Sequence, residues 1–281
     1  MVEARINDPT AIDRDSIAAI LDSGRTPTVQ FSRPCYTPAL LDQVNQLCIE
    51  FGDRLEIRFY GHYANDFSAA ALAPLRDVRW LSLFGLTSIA DSDCLARLPS
   101  LTRFSFGVQE FDDPAFLEKL DLTRITNLTL SANAKRNLDL AALGNAATLE
   151  NLSLQGHSKN IEAITGLPAL HSVSLSGFPN TRDLAFLNRL APLRCVRVFS
   201  AAGHRSASCC ILALKRSRFS GSETWKISAR SPASRACVSC RSRINYSFDR
   251  STCPGRSSEN FSFSTARLSK RSKASRHWAS W

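Results

Sequence analysis

The residues able to do chemistry are scattered, and where they gather they suggest contact rather than catalysis. His62, His157 and His171 stand far apart, with no nucleophile at a recognisable spacing from any of them. Asp91-Ser92-Asp93 and Asp112-Asp113 pair carboxylates that could bind a cation or exchange protons, but nothing places a second group opposite them, and they read as solvated loop charges. Cys237-Val-Ser-Cys240 has the spacing of half a zinc site, with Cys253 and His204 or Cys209 and Cys210 to complete it, yet no well-spaced second pair follows. Asn127-Leu-Thr129 and Asn151-Leu-Ser153 match the glycosylation sequon and read as chance. No catalytic residue, metal site or cofactor is assigned. What remains is a group of a different kind. Arg58, Tyr60, Trp80, Phe84 and Arg103 combine arginine with aromatic rings, the composition enriched where proteins bind proteins.

Positioning that group requires a regular scaffold, and the sequence supplies one. An apolar pair recurs as Leu81 and Leu83, Phe104 and Phe106, Leu128 and Leu130, Leu152 and Leu154, Val173 and Leu175, and Val196 and Val198. The steps between first members are 23, 24, 24, 21 and 23 residues. Apolar residues three apart lead into the pairs, as in Leu98, Leu101, Phe104 and Leu167, Leu170, Val173. A second ladder of the same spacing (Leu138, Leu140, Leu143; Ile161, Ile164, Leu167) predicts tight helical turns on the return side. Prolines at Pro99, Pro168 and Pro192 agree with a break before the next strand.

This pattern over roughly residues 55–198 resembles the leucine-rich repeat, with short units like those of bacterial and protein-phosphatase-regulator types. The resemblance implies an α/β fold: a curved solenoid with one parallel sheet on its concave face. It also implies a polar ladder of asparagines five residues after each first strand position. Here those positions are Leu86, Gln109, Asn133, His157, Phe178 and Ala201, so only Asn133 matches.

Upstream, residues 1–54 read as an N-terminal cap and a first strand–helix unit. Asp8 and Pro9 predict the start of a helix over 10–23 that covers the solenoid's open end. Val29 and Phe31 form a strand, Thr37-Pro38 opens a helix to about Glu50 with Gly52 as its stop, and Ile57 and Phe59 form the next strand. Alternation puts Gln30, Arg58, Ser82, Ser105, Thr129, Ser153, Ser174 and Arg197 in the central column of the exposed sheet face. Trp80 and Arg103 lie in one flanking column, and Tyr60 and Phe84 in the other.

Charge divides the chain. The whole carries +10, yet residues 200–281 hold 16 Lys and Arg against Glu223, Asp249 and Glu259, which leaves residues 1–199 slightly acidic. Residues 199–281, rich in Ser, Arg and Cys, read as an irregular basic tail, and three readings of it stay open. It could hold the zinc site above. It could touch nucleic-acid phosphates through Arg241, Arg243 and the run Lys270-Arg271-Ser272-Lys273, with Trp225, Tyr246, Phe261, Phe263 and Trp278 to stack on bases. It could be the product of a shifted reading frame.

No apolar run is long enough for a membrane helix, the start lacks a secretory h-region, and Cys35, Cys48, Cys94 and Cys195 follow no disulfide framework. The expectation is a cytoplasmic, non-enzymatic scaffold that binds an unknown protein or peptide on the concave face, without a membrane. Weak nucleic-acid contact through the tail is the alternative.

Overall fold

Apolar residues two apart can bury only one face of a strand, and identical coils stacked at a fixed spacing let each rung shelter its neighbours. The computed structural model shows that arrangement. It describes residues 4–61, 67–134, 137–177 and 185–199, and in the tail 214–219, 222–228 and 260–261. Nine strands form one sheet in chain order: β1 (Arg5–Asn7), β2 (Thr28–Phe31), β3 (Glu56–Tyr60), β4 (Trp80–Leu86), β5 (Arg103–Val108), β6 (Asn127–Leu130), β7 (Asn151–Gln155), β8 (Ser172–Ser176) and β9 (Cys195–Phe199). Every neighbouring pair is parallel. The rungs align as the repeat spacing predicts, Leu81 opposite Phe104, Phe104 opposite Leu128, Leu128 opposite Leu152, Leu152 opposite Val173 and Val173 opposite Val196. Val29 and Ile57 extend the same row.

The core lies between this sheet and the return segments. Leu81, Leu83, Leu130, Leu154, Val173 and Leu175 are fully buried from the sheet side, and Leu140, Leu143, Ile161 and Ile164 from the return side. Short 3₁₀ turns at Ser92–Arg97, Ala141–Asn145, Ile161–Gly166 and Ala185–Arg189 match the expected three-residue ladder. The fifth unit differs, returning through a single α-turn, α3 (Phe116–Lys119). Phe116 there stacks on Phe106, centroids 4.5 Å apart, filling a wider coil with rings.

Two longer helices serve the first units. α2 (Pro38–Phe51) begins with the Thr37 hydroxyl accepting the Leu40 amide, buries Leu41 and Val44, and stops at Gly52, as the sequence predicts. α1 (Arg14–Asp22) starts later than expected, because Asp13 is its cap and accepts the Asp15 and Ser16 amides. Asp8 instead sits at positive φ and accepts the Ser32 amide at 2.6 Å and the Arg33 guanidinium at 3.3 Å. The sheet therefore opens one rung earlier than expected, at β1, and α1 is the return element of a strand–helix–strand unit rather than an end piece. Three residues, one alternation, are too few to announce β1 in the sequence.

The polar ladder is replaced at Leu86, Gln109 and His157, while Phe178 and Ala201 lie outside the described residues. After β4 and β5 the turns bond directly between coils, Gln109 N–H to Leu86 O at 2.8 Å and Ala134 N–H to Gln109 O at 2.7 Å. After β7 the imidazole of His157 takes the ladder position, fully buried between Ser131 and Leu138.

The chain divides into two compact units, Met1–Cys210 and Ile211–Trp281. Within the second, where the sequence predicts no regular structure, Leu214–Phe219, Ser222–Ser228 and Asn260–Phe261 form a three-stranded antiparallel sheet.

Candidate binding face on the concave sheet

The register fixes the columns of the exposed sheet face. Gln30, Arg58, Ser82, Ser105, Thr129, Ser153, Ser174 and Arg197 run along its middle, each opposite the next. Glu56, Trp80 and Arg103 are consecutive in one flanking column, and Tyr60, Phe84 and Gly107 in the other. All five residues singled out in the sequence thus lie on one face, on three adjacent strands, and each is half-buried.

The arginines are not extended into solvent. The Arg58 guanidinium lies 4.6 Å from the ring centroid of Tyr60 on its own strand and 5.9 Å from that of Phe84 on the adjacent strand, so two rings hold it. Arg103 lies 5.0 Å from the centre of Trp80. A cation over a ring face is attracted by the ring quadrupole, by roughly 0.5–1 kcal/mol where exposed and more where water is excluded. The rings are therefore neither simple core side chains nor bare apolar surface; they hold the cations in place.

Glu56 lies beside this group without pairing to either arginine. Its carboxylate accepts the Thr28 hydroxyl at 2.8 Å and the Ser82 hydroxyl at 2.6 Å, tying β2, β3 and β4 together across the face. Among the described residues, two buried side-chain atoms have no hydrogen-bond partner: Nε of Arg58 and Oε1 of the buried Gln30, its neighbour in the central column. Gly107 supplies room for the Phe84 ring, since a Cβ at that position would stand 3.0 Å from Phe84 Cδ2. The sequence places Gly107 in its column but does not reveal this role.

The other candidates are put to structural use. Asp91 accepts the Ser68 hydroxyl at 2.6 Å, and Lys119 donates to Asp93 at 2.7 Å and to Asp113 at 2.8 Å, so these loop carboxylates tie coils together. His171 contacts the Ala169 carbonyl at 3.2 Å and lies apart from His157 on the next coil. Burial pushes the His157 pKa below its ordinary value, against a smaller opposing effect of the Ser131 bond. His62 lies outside the described residues, as do His204, Cys209, Cys210, Cys237, Cys240, Cys253, Arg241, Arg243, Tyr246, Phe263, Trp278 and the basic run at 270–273. Among the described residues no group of His, Cys, Asp and Glu is placed to hold a metal, and no helix is long and apolar enough to cross a membrane.

A parallel sheet built one strand per coil, with leucines facing inward and short return turns behind, defines a leucine-rich-repeat solenoid. The comparisons with solved structures return proteins of that kind. An internalin (InlF) from Listeria monocytogenes aligns at 20% identity and TM-score 0.42, over 52% of this chain and 42% of its own. Internalin C2 from the same organism aligns at 22% identity and TM-score 0.39, over 52% of this chain and 62% of its own. A chain of the Drosophila Toll–Spatzle complex aligns at 18% identity and TM-score 0.46, over 70% of this chain and 26% of its own. The chain thus spans less than two thirds of each of these three structures. No protein-family model and no curated protein matches the sequence.

Proposed function

We propose that the protein is a non-enzymatic recognition scaffold, cytoplasmic as its free thiols suit, that docks a protein or peptide partner on the concave face over β3, β4 and β5. The observation that carries this reading is the pair of arginines held against Tyr60, Phe84 and Trp80, beside strands β6 and β7 that present only small hydroxyl and amide side chains in the central and flanking columns. Rigid aromatic–arginine anchors of this kind supply most of the binding energy at protein interfaces, while small neighbours exclude water around them.

The test is quantitative affinity capture with the full chain against the double variant Trp80→Ala, Arg103→Ala. Partners recovered by the wild type should be lost from the variant. An unchanged set of partners, bound equally well, overturns the reading.

A further inference from the structure

We propose that the partner presents an extended acidic segment to this face, with its carboxylates received by Arg58 and Arg103; the inference rests on the docking reading above and gives it a chemistry.

Charge on the concave face runs opposite to the balance of residues 1–199 as a whole. The first 199 residues carry more acidic than basic groups, yet the columns of the sheet hold Arg5, Arg58, Arg103 and Arg197 against Glu56 alone. Glu56 is already committed to Thr28 and Ser82. Among the described residues, no ion pair includes Arg58 or Arg103. Lys119, by contrast, is paired with Asp93 and Asp113, and Lys159 with Asp139. Arg58 and Arg103 stand on the face without counter-charges.

The buried Nε of Arg58 points the same way. A charged donor withdrawn from water and left without an acceptor is a standing cost, relieved when an acceptor arrives. A carboxylate is the acceptor that a guanidinium engages most strongly, through two parallel bonds. The ring platforms hold each guanidinium in a fixed plane, so less freedom is lost when that engagement forms.

Nucleic acid is the competing occupant, and the geometry disfavours it. Bases stack on free ring faces, but here an arginine already lies over a face of each of Trp80, Tyr60 and Phe84. Two cations beside a carboxylate also make a poor track for a phosphate backbone, which carries a charge at every nucleotide.

The spacing adds a condition. Arg58 and Arg103 are two strands apart and offset by two residues along the sheet, a separation of about 12 Å from strand spacing and rise. In an extended chain that is the reach of about three to four residues, so the acidic side chains should recur at that interval.

The experiment selects a displayed library of random dodecapeptides on the immobilised full chain at physiological salt, then compares the selected peptides on wild type, Arg103→Gln and Arg58→Gln. The basic tail is common to all three proteins, so its contribution cancels. Arg103 lies over a single ring where Arg58 lies over two, which makes it the primary variant. The expected result is a set of peptides with Asp or Glu three to four residues apart that bind Arg103→Gln about tenfold more weakly or worse, and Arg58→Gln likewise. Peptides that lose affinity for Trp80→Ala but show no acidic preference and ignore both glutamine variants would overturn the acidic inference and leave the docking reading standing. Peptides indifferent to Trp80→Ala as well would overturn both. A single-stranded oligonucleotide whose binding falls in Arg103→Gln, with no acidic peptide selected, would assign the site to nucleic acid and overturn the inference.

Discussion

The ring of His157 bridges two coils, with Nε2 2.8 Å from the Ser131 carbonyl and Nδ1 accepting the Leu138 amide at 3.1 Å. These contacts fix the proton on Nε2, because Nδ1 must be bare to accept an amide and Nε2 must carry hydrogen to donate to a carbonyl. Protonating Nδ1 would break the Leu138 bond and bury a charge. Burial accordingly lowers the folded-state pKa below the 6.5 of the free group. For a base with a lowered folded pKa, the unfolded chain takes up the proton first. The stabilisation is fully present above pH 6.5 and declines as pH falls below it, until the folded pKa is reached. Urea unfolding at pH 7.5 and pH 5.0 should show a drop that His157→Asn reduces. His157→Ala should cost about 3 kcal/mol at neutral pH, through the lost ring and the orphaned amide.

Asn45 makes a two-bond ring with Asp77, donating to its carboxylate at 2.9 Å and accepting its amide at 2.8 Å. The pair ties α2 to the loop that enters β4, and Asn45 is almost completely buried. Asn45→Ala leaves the Asp77 amide without its acceptor, at a cost of about 1–3 kcal/mol. Chemical denaturation of the purified variant measures it. A change within error would mean that water replaces the amide without penalty.

Gly156 turns out of β7 at φ +75°, and a Cβ there would stand 2.9 Å from the Cβ of Ala132. Gly156→Ala combines an unfavourable backbone region with an overlap on the preceding coil, and should cost about 2 kcal/mol. Gly24 also has positive φ, but has open space where its Cβ would be. Gly24→Ala should therefore cost less, and thermal melting of the two variants side by side separates backbone strain from overlap.

The sheet was legible because its information is repeated. Leu81, Phe104, Leu128, Leu152, Val173 and Val196 each announce a strand, the near-constant step aligns them, and alternation then assigns Arg58 or Trp80 to a face without further data. What escaped is carried by single events. β1 has one inward residue, Ile6, which no periodicity can detect. Asp8 reads as the helix cap, yet the role falls to Asp13 because Asp8 is engaged with Ser32 and Arg33 just after the next strand. His157 reads as an isolated histidine where the ladder calls for asparagine, and only its two backbone partners reveal that it fills that place. Asn45 breaks the apolar face of α2, and its reason for being there lies 32 residues on. At the binding face the residues were legible and their pairing was not. Which ring a guanidinium lies over depends on the space that neighbouring columns leave.

Gly107 controls that space for Phe84. Opposite it in the same column, the Phe84 ring approaches to 3.0 and 3.2 Å of where a Cβ would be, and Ser131 closes the other side at 3.2 Å. Gly107→Ala must push the ring aside, since the obstruction is a side chain that can tilt rather than a fixed backbone. The stability cost should be modest, about 1 kcal/mol, because the neighbouring side chain moves and the sheet does not. The consequence for Arg58 is larger. Tilting Phe84 opens one wall of the slot that holds the guanidinium at 4.6 Å from Tyr60 and 5.9 Å from Phe84. A freed guanidinium must be ordered again by the partner, so affinity should fall several-fold while the melting temperature moves only slightly. Leu130→Ala supplies the contrast: it removes a fully buried rung residue, should cost about 2–5 kcal/mol, and lies behind the face. If Gly107→Ala loses stability as Leu130→Ala does while partner affinity is unchanged, Phe84 is a packing residue and the slot plays no part in recognition.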